Sequence, residues 1–343
     1  MTISKHRIAL WTGLPALLNI YHRHRLLVVT YHGVYGGPDD AGHVYPDTFV
    51  HVDQMEAQLT YLRRRYRVIS PEELLQSIKS RTPLPVHAAL VTFDDAYVNF
   101  KRLAFPVLKR LGITPIVFVP TYYVENQVPL WYDLVWYYCG RSPRPDLEPI
   151  GRKLRIQLQD LQPEQMSAAC LGVLKRFDFA ARSEIIQDIS NAMNRDGMSP
   201  AEELADFLVL QADELRELSK EGVCFGGHTH THTILTSMEH AAAHEEIRLN
   251  KSRLETILGQ TVHFFAYPNG SENDFTRQHE KMLQQTGYAG AFTLNQTRSS
   301  HPENPMAISR IHVAPEDTMD SFRMHCTGIV PIINKARYHL SCS

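Results

Sequence analysis

The sequence predicts an α/β protein built on a parallel sheet or a (β/α) barrel, and three observations carry that expectation. From Leu26 onward, apolar β-rich runs alternate with helical stretches in the rhythm of βαβ units. Between 124 and 212 the rhythm gives way to mainly helical sequence and then resumes. The clusters of ionisable residues fall directly after strands, as they do at the C-terminal rim of a parallel sheet.

The first strand is expected over Leu26–Tyr31, followed by a helix over Asp53–Tyr66 and a short strand Arg67–Ile69. Ser70-Pro71-Glu72-Glu73 then supplies an N-cap with proline at the first helical position. Strand Ala88–Phe93 leads to a helix over Lys101–Leu111 that Gly112 stops, and then to strand Pro115–Val119. Within the interruption, Trp131–Trp136 is aromatic-rich, Lys153–Leu158 alternates like an edge strand, and Glu164–Ala205 reads as successive helices, together an insertion or lid. The rhythm returns with helix Asp213–Lys220, strand Val223–Phe225, helix Glu239–Leu258 closed by Gly259, and strand Val262–Ala266. Helix Phe275–Thr286 and strands Tyr288–Leu294 and Ala307–Val313 complete it. The expected organisation is an N-terminal amphipathic segment over 1–25, a barrel from 26–123 and 213–330, the helical insertion over 124–212, and a C-terminal tail over 331–343.

Lys+Arg of 35 against Asp+Glu of 37 gives a net charge of −2, which leaves no global basic field to drive nucleic-acid binding. Charged residues at 21% and hydrophobic ones at 43% fit a folded soluble chain rather than a disordered or multi-span membrane protein. Five cysteines, at 139, 170, 224, 326 and 342, are odd in number and form no Cys-x-x-Cys pair, so a reducing, cytoplasmic setting is expected. The 18 histidines move metal chemistry up the list, because imidazole is the commonest transition-metal ligand.

The N-terminus has the charge order of a signal peptide, with Lys5, His6 and Arg7 before the apolar run Ile8–Ile20, yet no small-x-small cleavage site follows. Leu10, Leu14, Leu17 and Leu18 share one helical face with basic residues at both ends. Such a helix packs on the domain or makes peripheral membrane contact.

Three constellations carry chemistry. Strand Leu90–Phe93 ends in Asp94 and Asp95, two carboxylates side by side whose repulsion a cation or shared proton would relieve; capping of the next helix is the ordinary alternative. In Phe225-Gly226-Gly227-His228-Thr229-His230-Thr231-His232, three histidines alternate after a strand, preceded by two glycines that let the backbone turn. His228 and His232 converge on one ion if the chain turns after His228, and one Asp with two His leaves positions open for a water. Phe264–Gly270 is a strand ending in a Pro/Gly turn, which can aim a backbone N–H into a site.

Together these residues resemble the polysaccharide deacetylases, the NodB-homology fold of carbohydrate esterase family 4. Thr92-Phe93-Asp94-Asp95 matches the family's Thr-Phe-Asp-Asp motif, and His228–Leu235 matches its His-[Ser/Thr]-x-x-His-x-x-Leu motif. Ala266-Tyr267-Pro268-Asn269-Gly270 stands where the family has Arg-x-Pro-Tyr-Gly. The resemblance covers Leu26 to about Val119 and Asp213 to Val313, and it implies a distorted (β/α) barrel of the NodB type. It also implies Asp94 as catalytic base, Asp95, His228 and His232 as ligands of a divalent metal with Zn²⁺ the first candidate, and the Asn269 N–H as an oxyanion donor. Tyr267, Pro268 and Leu235 would line the substrate, and Trp131 would serve as a sugar-stacking wall or a packing anchor.

Two departures stand out. Ala266 replaces the arginine that orients the base, and Arg310 in Ser309-Arg310-Ile311-His312 is a candidate to replace it. The family's C-terminal Leu-x-His acid has no clean counterpart. Some members resemble circular permutants that take the acid from an N-terminal strand, and Val29–Val34 looks like that version; His32 is then the first choice of acid and His312 the second. The activity implied is metal-dependent hydrolysis of N-acetyl groups on an amino-sugar saccharide, a polysaccharide or its precursor, and so a place in carbohydrate metabolism. A hydrolase of the same fold acting on a non-sugar amide or imide, and a catalytically silent saccharide-binding protein, are the alternatives.

Overall fold

The computed structural model describes residues 14–37, 48–139, 148–193, 200–299 and 304–328. Lys5–Arg7, Leu10, Cys342 and the tail 331–343 lie outside the described residues. The strands, in chain order, are β1 (Leu27–Tyr31), β2 (Gly33–Tyr35), β3 (Phe49–His51), β4 (Arg67–Val68), β5 (Ala88–Phe93), β6 (Ile116–Val119), β7 (Cys224–Gly227), β8 (Phe264–Ala266), β9 (Gly290–Thr293), β10 (Ile308–Ser309) and β11 (Ile311–His312). β2 and β3 form a small parallel pair of their own. The other nine make one sheet in the order β10-β9-β8-β7-β6-β5-β1-β11, with β4 beside the start of β5.

The two ends of that order are halves of one extended run. Ile308 and Ser309 pair with Phe292 and Thr293 of β9, while Ile311 and His312 pair with Val29 and Thr30 of β1. Every pairing in the sheet is parallel, and the run from 308 to 312 brings its two edges together into a nearly closed barrel with the seam at Arg310. The helices between strands follow their local chemistry: Ser70 and Glu73 form a reciprocal capping box around Pro71, and the helix His240–Leu258 ends at Gly259 with φ of 68°.

Strand alternation sorts the apolar residues into two cores. Leu26, Val28, Leu90, Ile116, Phe118, Phe264, Phe292 and Ile308 pack together inside the barrel. Their neighbours Leu27, Val29, Tyr31, Val91, Phe93, Val117 and Phe265 face the surrounding helices in a larger cluster. That larger cluster runs without a break into the helical segment, through Leu130, Val135, Leu171, Leu174 and Ile189.

Four helices of that segment are Trp131–Cys139, Glu148–Leu154, Pro163–Leu174 and Phe179–Met193. The edge strand expected over Lys153–Leu158 is absent. Leu154 ends a helix that buries Ile150 and Gly151, and the Ile156 N–H returns to Gly151 O at 2.9 Å while Arg155 takes φ of 57°. Burial of Leu154 and Leu158 with exposed Arg155 and Gln157 gives the alternation that imitates a strand.

The seam residue Arg310 is fully buried inside the barrel. Its Nη1 and Nη2 donate to Asp94 Oδ1 and Oδ2 at 2.6 and 2.8 Å, Nη1 also reaches Thr30 Oγ1 at 3.1 Å, and the guanidinium carbon lies 5.3 Å from the centre of the Phe118 ring. Removing one partner of a buried pair costs about 3–5 kcal/mol, because the other charge is stranded. Arg310→Met is therefore expected to lose about that much stability in urea unfolding, and the double variant Arg310→Met/Asp94→Leu to recover most of it. A single variant as stable as the parent would contradict this account of the seam.

Candidate active site

The strand registers decide which side chains meet at the rim. Thr30 of β1 pairs with Thr92 of β5 and with His312 of β11. Two residues further on, and therefore on the same inward face, stand His32 and Asp94. His32 Nε2 is 3.8 Å from Asp94 Oδ2 and 4.0 Å from Asp95 Oδ2, and the His32 and His312 rings meet edge to face at 5.1 Å. Both residues expected as alternative acids thus occupy one corner, with His32 beside the carboxylates.

The two carboxylates are relieved in different ways. Burial alone would raise the Asp94 carboxyl, but the Arg310 guanidinium, aided by His228 and His32, outweighs it and holds the group below its ordinary value. Arg310, the candidate to stand in for the arginine missing at position 266, is the residue that contacts Asp94. Asp95 has no such cation. Its Oδ2 accepts from the Tyr132 hydroxyl at 2.7 Å, while Oδ1 is buried, has no hydrogen bond among the described residues, and faces His232 Nε2 at 3.2 Å and His228 Nε2 at 3.6 Å.

Asp95, His228 and His232 each offer one ligand atom, all within 4.8 Å of one another. His228 Nδ1 lies 2.7 Å from Ala266 O; a carbonyl only accepts, so Nδ1 carries the proton and Nε2 is left bare. An orphaned carboxylate oxygen opposite a bare imidazole nitrogen is a donor set that fits a divalent cation. At His232 the Trp131 indole N–H sits 3.4 Å from Nδ1, a long contact that ligation through Nε2 would loosen. His230 turns away to Thr121 Oγ1 at 2.9 Å and belongs to packing.

The backbone that delivers these groups is left-handed at several non-glycine positions: Asp95 at φ of 70°, Ala96 at 53°, Thr229 at 55°, His232 at 54° and Asn269 at 61°. Such positions cost about 1–3 kcal/mol each and gather where a scaffold enforces them. The turn expected from Gly226 and Gly227 is made instead by Thr229 and His232. The two glycines lie in β7, where they are required for space: a Cβ on Gly226 would stand 2.6 Å from the Phe118 ring, and one on Gly227 would stand 2.3 Å from both Asn250 Oδ1 and Tyr288 Oη. Asn250 Oδ1 accepts the His228 N–H at 3.1 Å, so the glycine lets the strand approach the residue that fixes His228.

A cleft of about 580 Å³ opens over the site, with His32, Asp94, Asp95, His228, His232 and Asn269 in its wall. Asn269 forms the left-handed corner of its turn, and among the described residues no hydrogen bond takes up its backbone N–H. Three expected substrate contacts are not in that wall. Tyr267 is buried, stacked on Phe275 at 4.0 Å with its hydroxyl spent on Met306 O; Leu235 is buried in the core; Pro268 is buried within the turn, its carbonyl accepting the Gly270 N–H. Alternation turns Tyr267 outward from the barrel, and Ile234 rather than Leu235 reaches the cleft. Trp131 does line it, but Arg182 covers the indole at 4.6 Å.

Sequence reasoning missed Tyr132 and Arg182. The first was visible only as part of an aromatic cluster, and the second as one arginine in an amphipathic helix.

The polysaccharide deacetylase family model matches residues 151–290, a stretch that includes His228, His232 and the Asn269 turn and follows Asp94 and Asp95 in the chain. No curated protein sequence matches the chain. Among solved structures it is similar to the Streptococcus pyogenes deacetylase PplD in complex with acetate, at 16% identity and a TM-score of 0.57, covering 88% of this chain and 98% of that one. It is also similar to IcaB from Ammonifex degensii, at 20% identity and a TM-score of 0.52, covering 89% and 97%. A polysaccharide deacetylase from Bacillus cereus shares the fold at 17% identity and a TM-score of 0.54, covering 88% and 69%. The polysaccharide deacetylase family model is thus matched across the histidine motif, and the barrel fold is shared with these structures.

Proposed function

We propose that the protein is a metal-dependent N-deacetylase of an amino-sugar saccharide, with Asp94 as base and His32 as acid. The observation that carries this reading is the unbonded Asp95 Oδ1 facing two imidazole nitrogens, beside a second carboxylate that Arg310 keeps ionised. Asp95, His228 and His232 would hold the cation, Zn²⁺ first among candidates. When bound, such an ion supplies Lewis-acid activation, which brings the pKa of a water from about 16 toward 7.

The chain's own groups then divide the work. Asp94 takes a proton from the attacking water, and the new C–O bond forms at the acetamide carbonyl. The free Asn269 N–H stabilises the oxyanion that develops there. Burial pushes the His32 imidazole down to about 4 despite the raising effect of Asp94 and Asp95, so it begins neutral near pH 7. Its Nε2, 3.8 Å from Asp94 Oδ2, is placed to receive the proton Asp94 has taken and pass it to the departing nitrogen as the C–N bond breaks. Acetate and a free amine remain. Acetate is also the molecule in complex with the streptococcal deacetylase of the same fold.

The N-terminal segment is proposed to rest on an anionic membrane surface, at a cytoplasmic location. The helix Leu14–Tyr21 leaves Leu17, Ile20 and Tyr21 at 66, 58 and 71% exposure, with Arg23 and Arg25 directly after it. Val86, at 48%, adjoins them where the His87 N–H bonds Arg23 O at 2.7 Å. Among the described residues these four are the exposed large hydrophobic side chains, and Leu17, Ile20 and Tyr21 fall on one face of the helix.

Purified protein supplied with Zn²⁺ should release acetate from N-acetylated chitooligosaccharides, and chelation should abolish the release. In that assay Asp94→Asn is expected to keep its metal and lose about 10²-fold or more in turnover, whereas Asp95→Asn loses metal affinity. Equal metal loss in both would overturn the division of roles.

His32→Ala should lose about 10² to 10⁴ in amide hydrolysis while keeping most activity on an aryl acetate, whose leaving group needs no proton. Normal amide hydrolysis in that variant, with failure of His312→Ala, would move the acid to the C-terminal strand.

The surface proposal predicts sedimentation with phosphatidylglycerol vesicles but weakly with phosphatidylcholine, and loss of it in Ile20→Asp/Tyr21→Asp. Equal recovery with both lipids would count against it.

A further inference from the structure

The proposed reaction makes no use of the helical segment, yet two consecutive residues of its first helix touch two of the three candidate ligands. The Tyr132 hydroxyl donates to Asp95 Oδ2 at 2.7 Å, and Trp131 Nε1 lies 3.4 Å from His232 Nδ1. A second layer backs the first: Tyr97 Oη is 2.8 Å from Tyr132 Oη and 2.8 Å from Asp133 Oδ2. Tyr97 belongs to the loop that carries Asp95, so the loop and the helix are joined twice, at Asp95–Tyr132 and at Tyr97–Asp133. On the other side Arg182, buried in the helix Phe179–Met193, donates through Nη2 to Thr231 O at 3.1 Å and Thr233 Oγ1 at 3.0 Å, the residues flanking His232.

We infer that Tyr132 is a positioning residue for Asp95, and that through it the helical segment forms part of the cation centre, so that docking of the segment and affinity for the cation are thermodynamically linked. This inference rests on the metal-dependent reading above. A carboxylate has two equivalent oxygens and rotates freely unless one is engaged. Tyr132 occupies Oδ2, and the remaining Oδ1 is presented alone to His228 Nε2 and His232 Nε2. Because Tyr132 is buried and its ring packs 5.6 Å from both Trp131 and His232, the hydroxyl is held in place as firmly as the group it orients. Linkage is reciprocal: whatever the docked segment adds to cation binding, the cation returns to docking. The helices are then a component of the centre as well as a wall of the cleft.

Partners that orient a ligand are typically worth about 10–100-fold in metal affinity. Tyr132→Phe keeps the ring and removes the hydroxyl, and with it both the bond donated to Asp95 and the contact with Tyr97 Oη. The test is competition of the metal-stripped full-length chain against a chromophoric chelator for Zn²⁺, with thermal melting of the stripped proteins alongside. The expected result is a 10- to 100-fold weaker affinity in Tyr132→Phe, beyond any change in the melting of the stripped protein. A packing role alone would lower melting and leave affinity unchanged, and that result overturns the inference. Failure of the unmodified chain to bind Zn²⁺ would instead overturn the metal reading on which it rests. Should Tyr132→Phe not fold, hydrogen exchange on the unmodified chain decides: adding Zn²⁺ should slow exchange at amides 131–139, and unchanged exchange there in a protein that binds the ion overturns the inference.

Discussion

The bidentate contact between Arg310 and Asp94 is the interaction on which the rest of the molecule turns. It lies inside the barrel, where an unpaired charge of either sign would be intolerable. It also lies at the seam, since Arg310 separates the half-strand that pairs with β9 from the half-strand that pairs with β1. Closing the barrel and holding Asp94 ionised are therefore one event. The same contact lets a pair of adjacent carboxylates exist: with Asp94 neutralised from within, Asp95 is left to the imidazoles.

Around that pair the fold spends conformational energy. Left-handed backbone at Asp95, Thr229, His232 and Asn269 is unfavourable for each residue in isolation, most of all for the β-branched Thr229. The scaffold holds these corners by long-range bonds, such as Asn250 Nδ2 to Thr229 O at 2.6 Å and to Val119 O at 2.9 Å. The loops of the site are thus shaped by strands and a helix distant in sequence, with little help from their own preferences.

That division explains what could be read from the chain beforehand. The strand and helix rhythm was legible because burial has a period of two in strands and about 3.6 in helices, and capping at Ser70 or Gly259 is a local matter. Asp94, Asp95, His228 and His232 were legible as costly clusters at strand ends. Arg310 could be named only as a candidate, since nothing local ties it to a carboxylate 216 positions away. Tyr132 and Arg182 had no local signature, because their meaning lies in what they touch. Where local pattern was trusted too far, it misled: Lys153–Leu158 alternates although a helix end and a turn produce the alternation, and Gly226 and Gly227 are small to admit neighbours, with the turning left to other residues. Tyr267 and Leu235, carried over from a motif, are both buried in the core.

The exposed helix Leu14–Tyr21 and the cleft stand at opposite poles of the barrel. The helix leads into the beginning of β1, and Val86 precedes the beginning of β5, whereas His32, Asp94 and Asp95 in the cleft follow the ends of those strands. Six residues of β5 span roughly 20 Å at about 3.3 Å each. A molecule seated by its exposed pole would therefore work at a stand-off, its mouth pointing away from the surface that holds it. Short saccharides bound close to that surface would pass beneath its reach, and a chain long enough to loop outward would be met at its far portion. The polarity of a parallel barrel would in this way act as a ruler, selecting substrate by distance from the surface as well as by chemistry.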